Sequence, residues 1–556
     1  MLTSHTILHF KELPIIKKDI KNLCLHFNKT LNNEKRESEF PFFQIVSRVN
    51  IILQGYTEQP SLLDSVLPNI LVNIFEQARL YLKHSFILFI NSSCLPSNEI
   101  VSLFDQLSYI VYSLCNLRGL KNIRVYMPNN VDNLEIILFC LVSQKNNLSW
   151  ESKYFLLIWL SVLLLVPFDF QRFDFSTIFE YYYENIEKFV YNEIEQLIMS
   201  LLKNYLNENA KIGKVTSMCI NILFKRINMN DSYSFKEFLT WVFDICSVES
   251  TNSINLKTIS WLALRKTIKG LSKDLLIKNY SWIKSQMDLY NFYDFSKINS
   301  SVYLYQKLGF MFIFIERILI NNPFRPIYLT ANKKILENEN NENKVQMITN
   351  SKNCYLNLKE FNDSSININK NLFTDEVNQE LIENIQYLDI IEHSIEICLE
   401  NLSNKDSNVR YLIAKYISNI CQKLSKNLSD QIINLVFSKF EMASEELLHG
   451  ICLIIGESIR KKILSPDYLP TVIIILEKSL IFEEYDVNHS TGSIIRDSAC
   501  YISWALARSF ESSIMKEYVI KFGTNLLMCA LFDKNTNCRK AAAASFQENV
   551  GRQGYF

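Results

Sequence analysis

One short motif recurs at an interval that few architectures can produce. Ser493-Ile494-Ile495-Arg496-Asp497-Ser498-Ala499 is echoed by Thr536-Asn537-Cys538-Arg539-Lys540-Ala541-Ala542, and an earlier copy reads Asp406-Ser407-Asn408-Val409-Arg410 with Ala414 beyond it. Arg496 and Arg539 lie 43 residues apart, and Arg410 precedes Arg496 by 86, twice that interval. In each copy a turn opens into a helix that carries an arginine in its first turn and small residues just after. This period predicts an all-α fold, an α-solenoid of HEAT- or armadillo-like helical hairpins. Such hairpins bury their apolar faces only against neighbours, so the product is an extended surface suited to holding another protein.

The motif has a physical basis. Asp406 and Asp533 fall in the turns, where a carboxylate can accept the free amides of the next helix start. Arg410, Arg496 and Arg539 can donate to carboxylates or carbonyls of an adjacent unit. Ala414, Ala499 and Ala541 to Ala544 let helices approach closely, and Val409 belongs to the same repeat motif. The expected role of these residues, Asp497 included, is a structural ladder between repeats rather than ligand contact. The middle unit departs from the pattern: near position 453, where an arginine is due, the sequence offers His449-Gly450.

The same pattern organises the rest of the chain. Its 556 residues exceed one compact core, and with only 11 Gly and 11 Pro it lacks the turn residues of a sheet-rich protein. Apolar residues recur at three and four over Leu71 to Phe89, Glu187 to Tyr205 and Val302 to Ile320. Residues 1–330 are expected to form an N-terminal helical repeat region that stops at Pro323 and Pro326. From 331 to 380 the composition shifts, with thirteen Asn and no Gly or Pro in fifty residues; this stretch is expected to be a flexible insertion. Residues 381–556 read as paired helices: Ile385 to Leu402 with Asn408 to Leu424, Asp430 to Met442 with Glu446 to Lys462, Pro466 to Leu480 with Ser493 to Phe510, and Ile514 to Phe532 with Asn535 to Val550. Gly551 is the expected stop of the last helix. The turn Ile481 to Gly492 is unusually long, and Glu483, Glu484, Tyr485, Asp486 and His489 form a candidate partner-contact loop. A mobile, solvated loop is the alternative.

Several functions find no support in the residues. Lys plus Arg equals Asp plus Glu at 58 each, so nothing in the net charge points to nucleic acid or an anionic membrane. The longest apolar run, Tyr154 to Phe168, falls short of a spanning helix and reads as a buried one. Met1 to Ile16 has no secretory pattern. Thirteen scattered cysteines without a C-x-x-C pair fit free thiols in a reducing compartment. No phosphate-cradling glycine loop, no H-E-x-x-H and no G-x-S-x-G elbow occurs, so no catalytic, cofactor or metal site is expected.

The C-terminal residues resemble the family of tubulin-folding cofactor D, also called tubulin-specific chaperone D. The stretches that carry the resemblance are NHSTGSIIRDSACYISW at Asn488 to Trp504 and NCRKAAAASFQENVGRQG at Asn537 to Gly554. Upstream, Glu58-Gln59-Pro60-Ser61-Leu62-Leu63-Asp64, Arg118-Gly119 and Leu157 to Phe170 follow in the family's order. The family's chains continue beyond the Gly-Arg-Gln-Gly run, so the repeat region is expected to be truncated at Phe556. The resemblance implies a HEAT-repeat chaperone that binds β-tubulin after the chaperonin step. It implies αβ-heterodimer assembly with cofactors E and C and an ADP-ribosylation-factor-like small GTPase, with associated stimulation of GTP hydrolysis by tubulin. It also implies a cytoplasmic location, with or without association with microtubules. Two alternatives stay open: a generic HEAT scaffold or adaptor, and a GTPase-activating protein with Arg496, Arg539 or Arg552 as an arginine finger.

Overall fold

The computed structural model describes residues 12–31, 41–92, 94–167, 170, 194–226, 232–247, 251–295, 298, 300–319, 387–441, 443–486 and 489–554. The expected insertion at 331–380, Pro323, Pro326 and residues 187–193 lie outside them. The chain divides into two compact units, Met1–Gln286 and Met287–Phe556.

The first unit contains α1 (Leu13–Leu31), α2 (Phe42–Gln54), α3 (Leu67–Ser92), α4 (Asn98–Arg118), α5 (Leu120–Arg124), α6 (Asn133–Ser143) and α7 (Trp150–Leu163). It continues with α8 (Ile194–Tyr205), α9 (Ala210–Leu223), α10 (Ser232–Cys246), α11 (Ile254–Gly270) and α12 (Lys273–Lys278); α13 (Tyr280–Leu289) follows. Helix α4 packs on α2 and α7, α7 on α9, and α9 on α11, so every second helix or so joins one stack. The apolar run expected to be a buried helix is α7: Phe155 to Leu160 have no exposed surface. Its Trp159 indole donates to the Pro128 carbonyl at 2.8 Å, which settles the one polar atom that burial would strand. Helix α4 has the length and hydropathy to cross a membrane, but its apolar side chains, Phe104, Ile110, Val111 and Leu114 among them, are buried in this stack.

The second unit holds α14 (Ser301–Ile318), α15 (Leu388–Asn401), α16 (Ser407–Lys423), α17 (Lys426–Ser438), α18 (Glu445–Arg460) and α19 (Leu469–Leu480). After a short hairpin, β1 (Glu484–Asp486) and β2 (His489–Thr491), come α20 (Ser493–Ser509), α21 (Ser512–Phe532) and α22 (Thr536–Gln553). Helices α16, α18, α20 and α22 stack in sequence, and α19 packs on α21. This is the repeat arrangement of an α-solenoid. Helix α14 packs on α15 and α16, with Phe312 stacked on Tyr416 at a centroid distance of 3.8 Å. Residues 301–318 therefore group with the C-terminal helices, whereas the sequence pattern alone places them with the N-terminal region.

Local chemistry explains where the stacked helices begin. A side-chain oxygen caps the free amides of most of them: Ser149 for α7, Asn209 for α9, Ser253 for α11, Asp406 for α16, Ser444 for α18 and Asn535 for α22. Helices α2 and α4 start from Pro41 and Ser97 without a side-chain cap, and α20 starts from Gly492 at φ 99°, a conformation that a Cβ disfavours. The last helix does not stop at Gly551. It runs on to Gln553 and ends at Gly554 in the left-handed region, φ 67°.

Candidate interaction surface

The three repeat arginines are brought into equivalent places. Arg410 Nη1 donates to the carbonyls of Asn404 and Lys405, the latter at 3.2 Å. Arg539 Nη1 donates to the matching carbonyls of Asp533 at 2.6 Å and Lys534 at 3.2 Å. Arg496 makes the same kind of bond, to the Phe482 carbonyl at 2.8 Å, but fourteen residues back rather than six, because the β-hairpin is inserted between. Each arginine thus closes the turn that precedes its own helix.

The Nε atoms of two of them reach the next repeat. Arg496 Nε donates to Asp533 Oδ2 at 2.6 Å and its Nη2 to Oδ1 at 3.3 Å, a two-pronged pair with side chains only 11% and 3% exposed. The sequence neighbour Asp497 is not the partner, and among the described residues it makes no ion pair. Burial alone would raise the Asp533 carboxyl, but the Arg496 pair and the Asn535 amide at 2.8 Å hold it below the usual range. Arg410 Nε donates to Nδ1 of His449 at 3.0 Å. In the unit that lacks the arginine, the histidine therefore serves as the acceptor for the arginine before it. Burial, and then Arg410, push His449 down to about 4, so the ring is neutral and free to accept. Gly450 beside it is required by a close approach: a Cβ there would lie 2.7 Å from Leu402 and 2.9 Å from its carbonyl oxygen.

The alanines and the motif valine divide. Val409, Ala414, Ala499 and Ala542 are buried, whereas Ala541 and Ala543 are half-buried and Ala544 is exposed, so not all of that run serves close packing. Asp406 caps α16 through the Asn408 amide at 2.9 Å, which holds its carboxyl low.

The long turn folds as an antiparallel hairpin pairing Glu484 with Thr491, Tyr485 with Ser490 and Asp486 with His489. Glu483 is paired with Lys534 at 2.9 Å, which ties the hairpin to the following turn. Glu484 is exposed; for Tyr485, Asp486 and His489 only the backbone is among the described parts.

The run Phe546 to Gly554 has a role that periodicity did not reveal. Asn549 Nδ2 donates to the Ser503 hydroxyl at 3.1 Å and the Ser545 carbonyl at 2.9 Å, and Gln553 Nε2 to the Ala507 carbonyl at 3.2 Å. Both amides are fully buried and clamp α22 onto α20. The only signal in the sequence is polar residues at i and i+4 on a face that should be apolar.

Nothing in these contacts assembles a reaction centre. Arg496, Arg539 and Arg552 are all engaged within the fold, Arg552 with Glu548. Burial pushes the Cys452 thiol up to about 11, which keeps it protonated. Among the described residues no three His, Cys, Asp or Glu side chains group as a metal site.

Two family matches cover most of the chain: "Tubulin-specific chaperone D-like, ARM repeat" over residues 53–246 and "Tubulin-specific chaperone D-like, ARM repeats" over 331–556. The chain belongs to the tubulin-specific chaperone D family. Tubulin-specific chaperone D of Dictyostelium discoideum is 40% identical over 159 residues, 28% of this chain and 11% of that protein. Tubulin-folding cofactor D of Schizosaccharomyces pombe is 23% identical over 527 residues, 90% of this chain and 40% of that protein. The chain thus spans less than half the length of these relatives. Among solved structures, Kap121p bound to Ste12p aligns at a TM-score of 0.42 and 11% identity, over 98% of this chain and 45% of that one.

Proposed function

We propose that this chain is a tubulin-folding scaffold that binds β-tubulin on its stacked repeats and assists assembly of the αβ heterodimer. The observation that carries the reading is family membership along both units, in a chain whose repeats expose long helical faces. The repeats hold a partner by shape and by polar contacts, without covalent chemistry. On the same reading the chain works in the cytoplasm, in company with cofactors E and C and an ADP-ribosylation-factor-like small GTPase. Stimulation of GTP hydrolysis then belongs to the assembled complex, since the arginines nominated as fingers are engaged in turns and helix contacts here. The test is a pulldown of purified β-tubulin by the purified chain, with α-tubulin and an unrelated GTPase as controls. Selective retention of β-tubulin is expected. Equal retention of all three proteins, or of none, returns the chain to the generic scaffold reading.

A further inference from the structure

Stacking of α18, α20 and α22 leaves one stripe of α20 partly exposed. It consists of Asp497, Tyr501, Trp504 and Arg508, spaced four, three and four residues apart along one helical face. Its C-terminal part is bound into a strip that crosses all three helices. Tyr501 packs on α18, where a Cβ on Gly456 would come within 2.6 Å of its ring, and its hydroxyl donates to Glu457 Oε1 at 2.9 Å. Trp504 stacks on Tyr501 with centroids 6.0 Å apart and planes 20° apart. Arg508 covers Trp504, its guanidinium carbon 4.7 Å from the ring centroid, and lies 3.9 Å from Glu548 on α22. At the other end Arg460 Nη2 donates to Glu457 at 2.7 Å.

Core packing does not require this composition. Tyr501 and Trp504 are only half-buried although large and largely apolar, and Arg460 and Arg508 are 46% and 48% exposed. Aromatic and arginine side chains dominate binding energy at protein interfaces. Here each is already held by a neighbour, so less rotamer freedom remains to be lost on binding. The charge is also one-sided. The glutamates lie inward, 21% and 17% exposed, while the arginines face solvent. Arg552, 12% exposed, is itself paired with Glu548, and Lys461 Nζ is bound to the Lys415 carbonyl at 3.2 Å and the Ser418 hydroxyl at 2.9 Å, so Arg460 and Arg508 are the cations that the strip presents to solvent.

We propose that this strip is a docking surface for an acidic polypeptide segment of a partner protein, whose carboxylates meet Arg460 and Arg508 while an apolar side chain rests on Trp504. The proposal stands apart from the tubulin reading, since it specifies the chemistry of the segment and not the protein that carries it. The probe is a short fluorescein-labelled peptide of glutamates around one phenylalanine, titrated with the full chain and followed by anisotropy. A peptide with glutamine in place of glutamate is the control. Binding of the acidic peptide at least tenfold tighter than its control, and weakening with salt, is expected. Arg460→Glu with Arg508→Glu should lose at least tenfold, and Trp504→Ala several-fold. Lys516→Glu with Lys521→Glu, the same charge change on exposed positions of α21, should leave binding within twofold. Arg460→Gln with Arg508→Gln gives the same reading if the charge reversal disturbs folding. Equal binding of both peptides, or equal losses in the strip and α21 variants, would overturn the proposal.

Discussion

Removing the Asp533 carboxylate should open the C-terminal repeats locally. Asp533→Ala takes away both acceptors of the Arg496 fork, at 2.6 and 3.3 Å, and the partner of the Asn535 amide at 2.8 Å. Arg496 is left 11% exposed with its Nε unpaired. Breaking a buried pair from one side destabilises by roughly 3 to 5 kcal/mol. The lower end applies, because Nη1 keeps the Phe482 carbonyl and the guanidinium keeps a little contact with water. A loss of about 3 kcal/mol corresponds to roughly a hundredfold larger opening constant. A chain of two units need not melt in one step, so a single melting temperature is a poor reporter. Hydrogen exchange read peptide by peptide at neutral pH isolates the effect: amides of α20 and α22 should exchange about a hundredfold faster, while those of α7 and α9 stay unchanged. The double variant Arg496→Met, Asp533→Leu supplies the control, because it removes both charges. It should lose at least about 2 kcal/mol less than the sum of the single variants. Unchanged exchange in Asp533→Ala, or simple additivity in the double variant, would refute a buried inter-repeat pair.

Two further outcomes follow from the same stack. His449 has its folded pKa depressed to about 4 against about 6.5 unfolded, so its stabilisation is complete above about pH 6.5 and is lost as pH falls towards 4, by up to about 3 kcal/mol. His449→Gln keeps an acceptor for Arg410 without a titrating ring, and in urea melts it should lose the extra acid sensitivity of the native chain; identical pH slopes would contradict this. Gly492→Ala puts a Cβ on a φ of 99° and 2.8 Å from the Phe482 carbonyl oxygen, which should destabilise the start of α20 by about 2 kcal/mol and expose residues 481–495 to protease. Native resistance to cleavage there would show that the loop absorbs the strain.

Much of this architecture is legible in order along the chain, because it depends on local rules. The recurring turn and the apolar positions at three and four, together with caps such as Asp406 and Asn535, each act within a few residues. They suffice to announce a stack of helical hairpins. The end of α22 shows the limit of such rules: Gly551 looks like a stop, yet a glycine can remain helical, and the left-handed turn falls at Gly554.

What acts between helices was not legible. Asp497 is beside Arg496 in sequence, but successive residues on a helix point about 100° apart, and the true partner, Asp533, comes from the turn 37 residues later. His449 reads as a gap in the arginine series, yet it is the acceptor for Arg410 Nε. Asn549 and Gln553 look solvent-facing by polarity, and only the approach of α20 shows them to be a buried clamp. The repeat period and the helix starts come from the sequence itself, since they follow from backbone bonding and the 3.6-residue turn. The pairing of Arg410 and Arg496 with acceptors in the next repeat, and of Tyr501 and Arg508 with Glu457 on α18 and Glu548 on α22, is decided only when helices pack, because each such contact joins residues that no local rule connects.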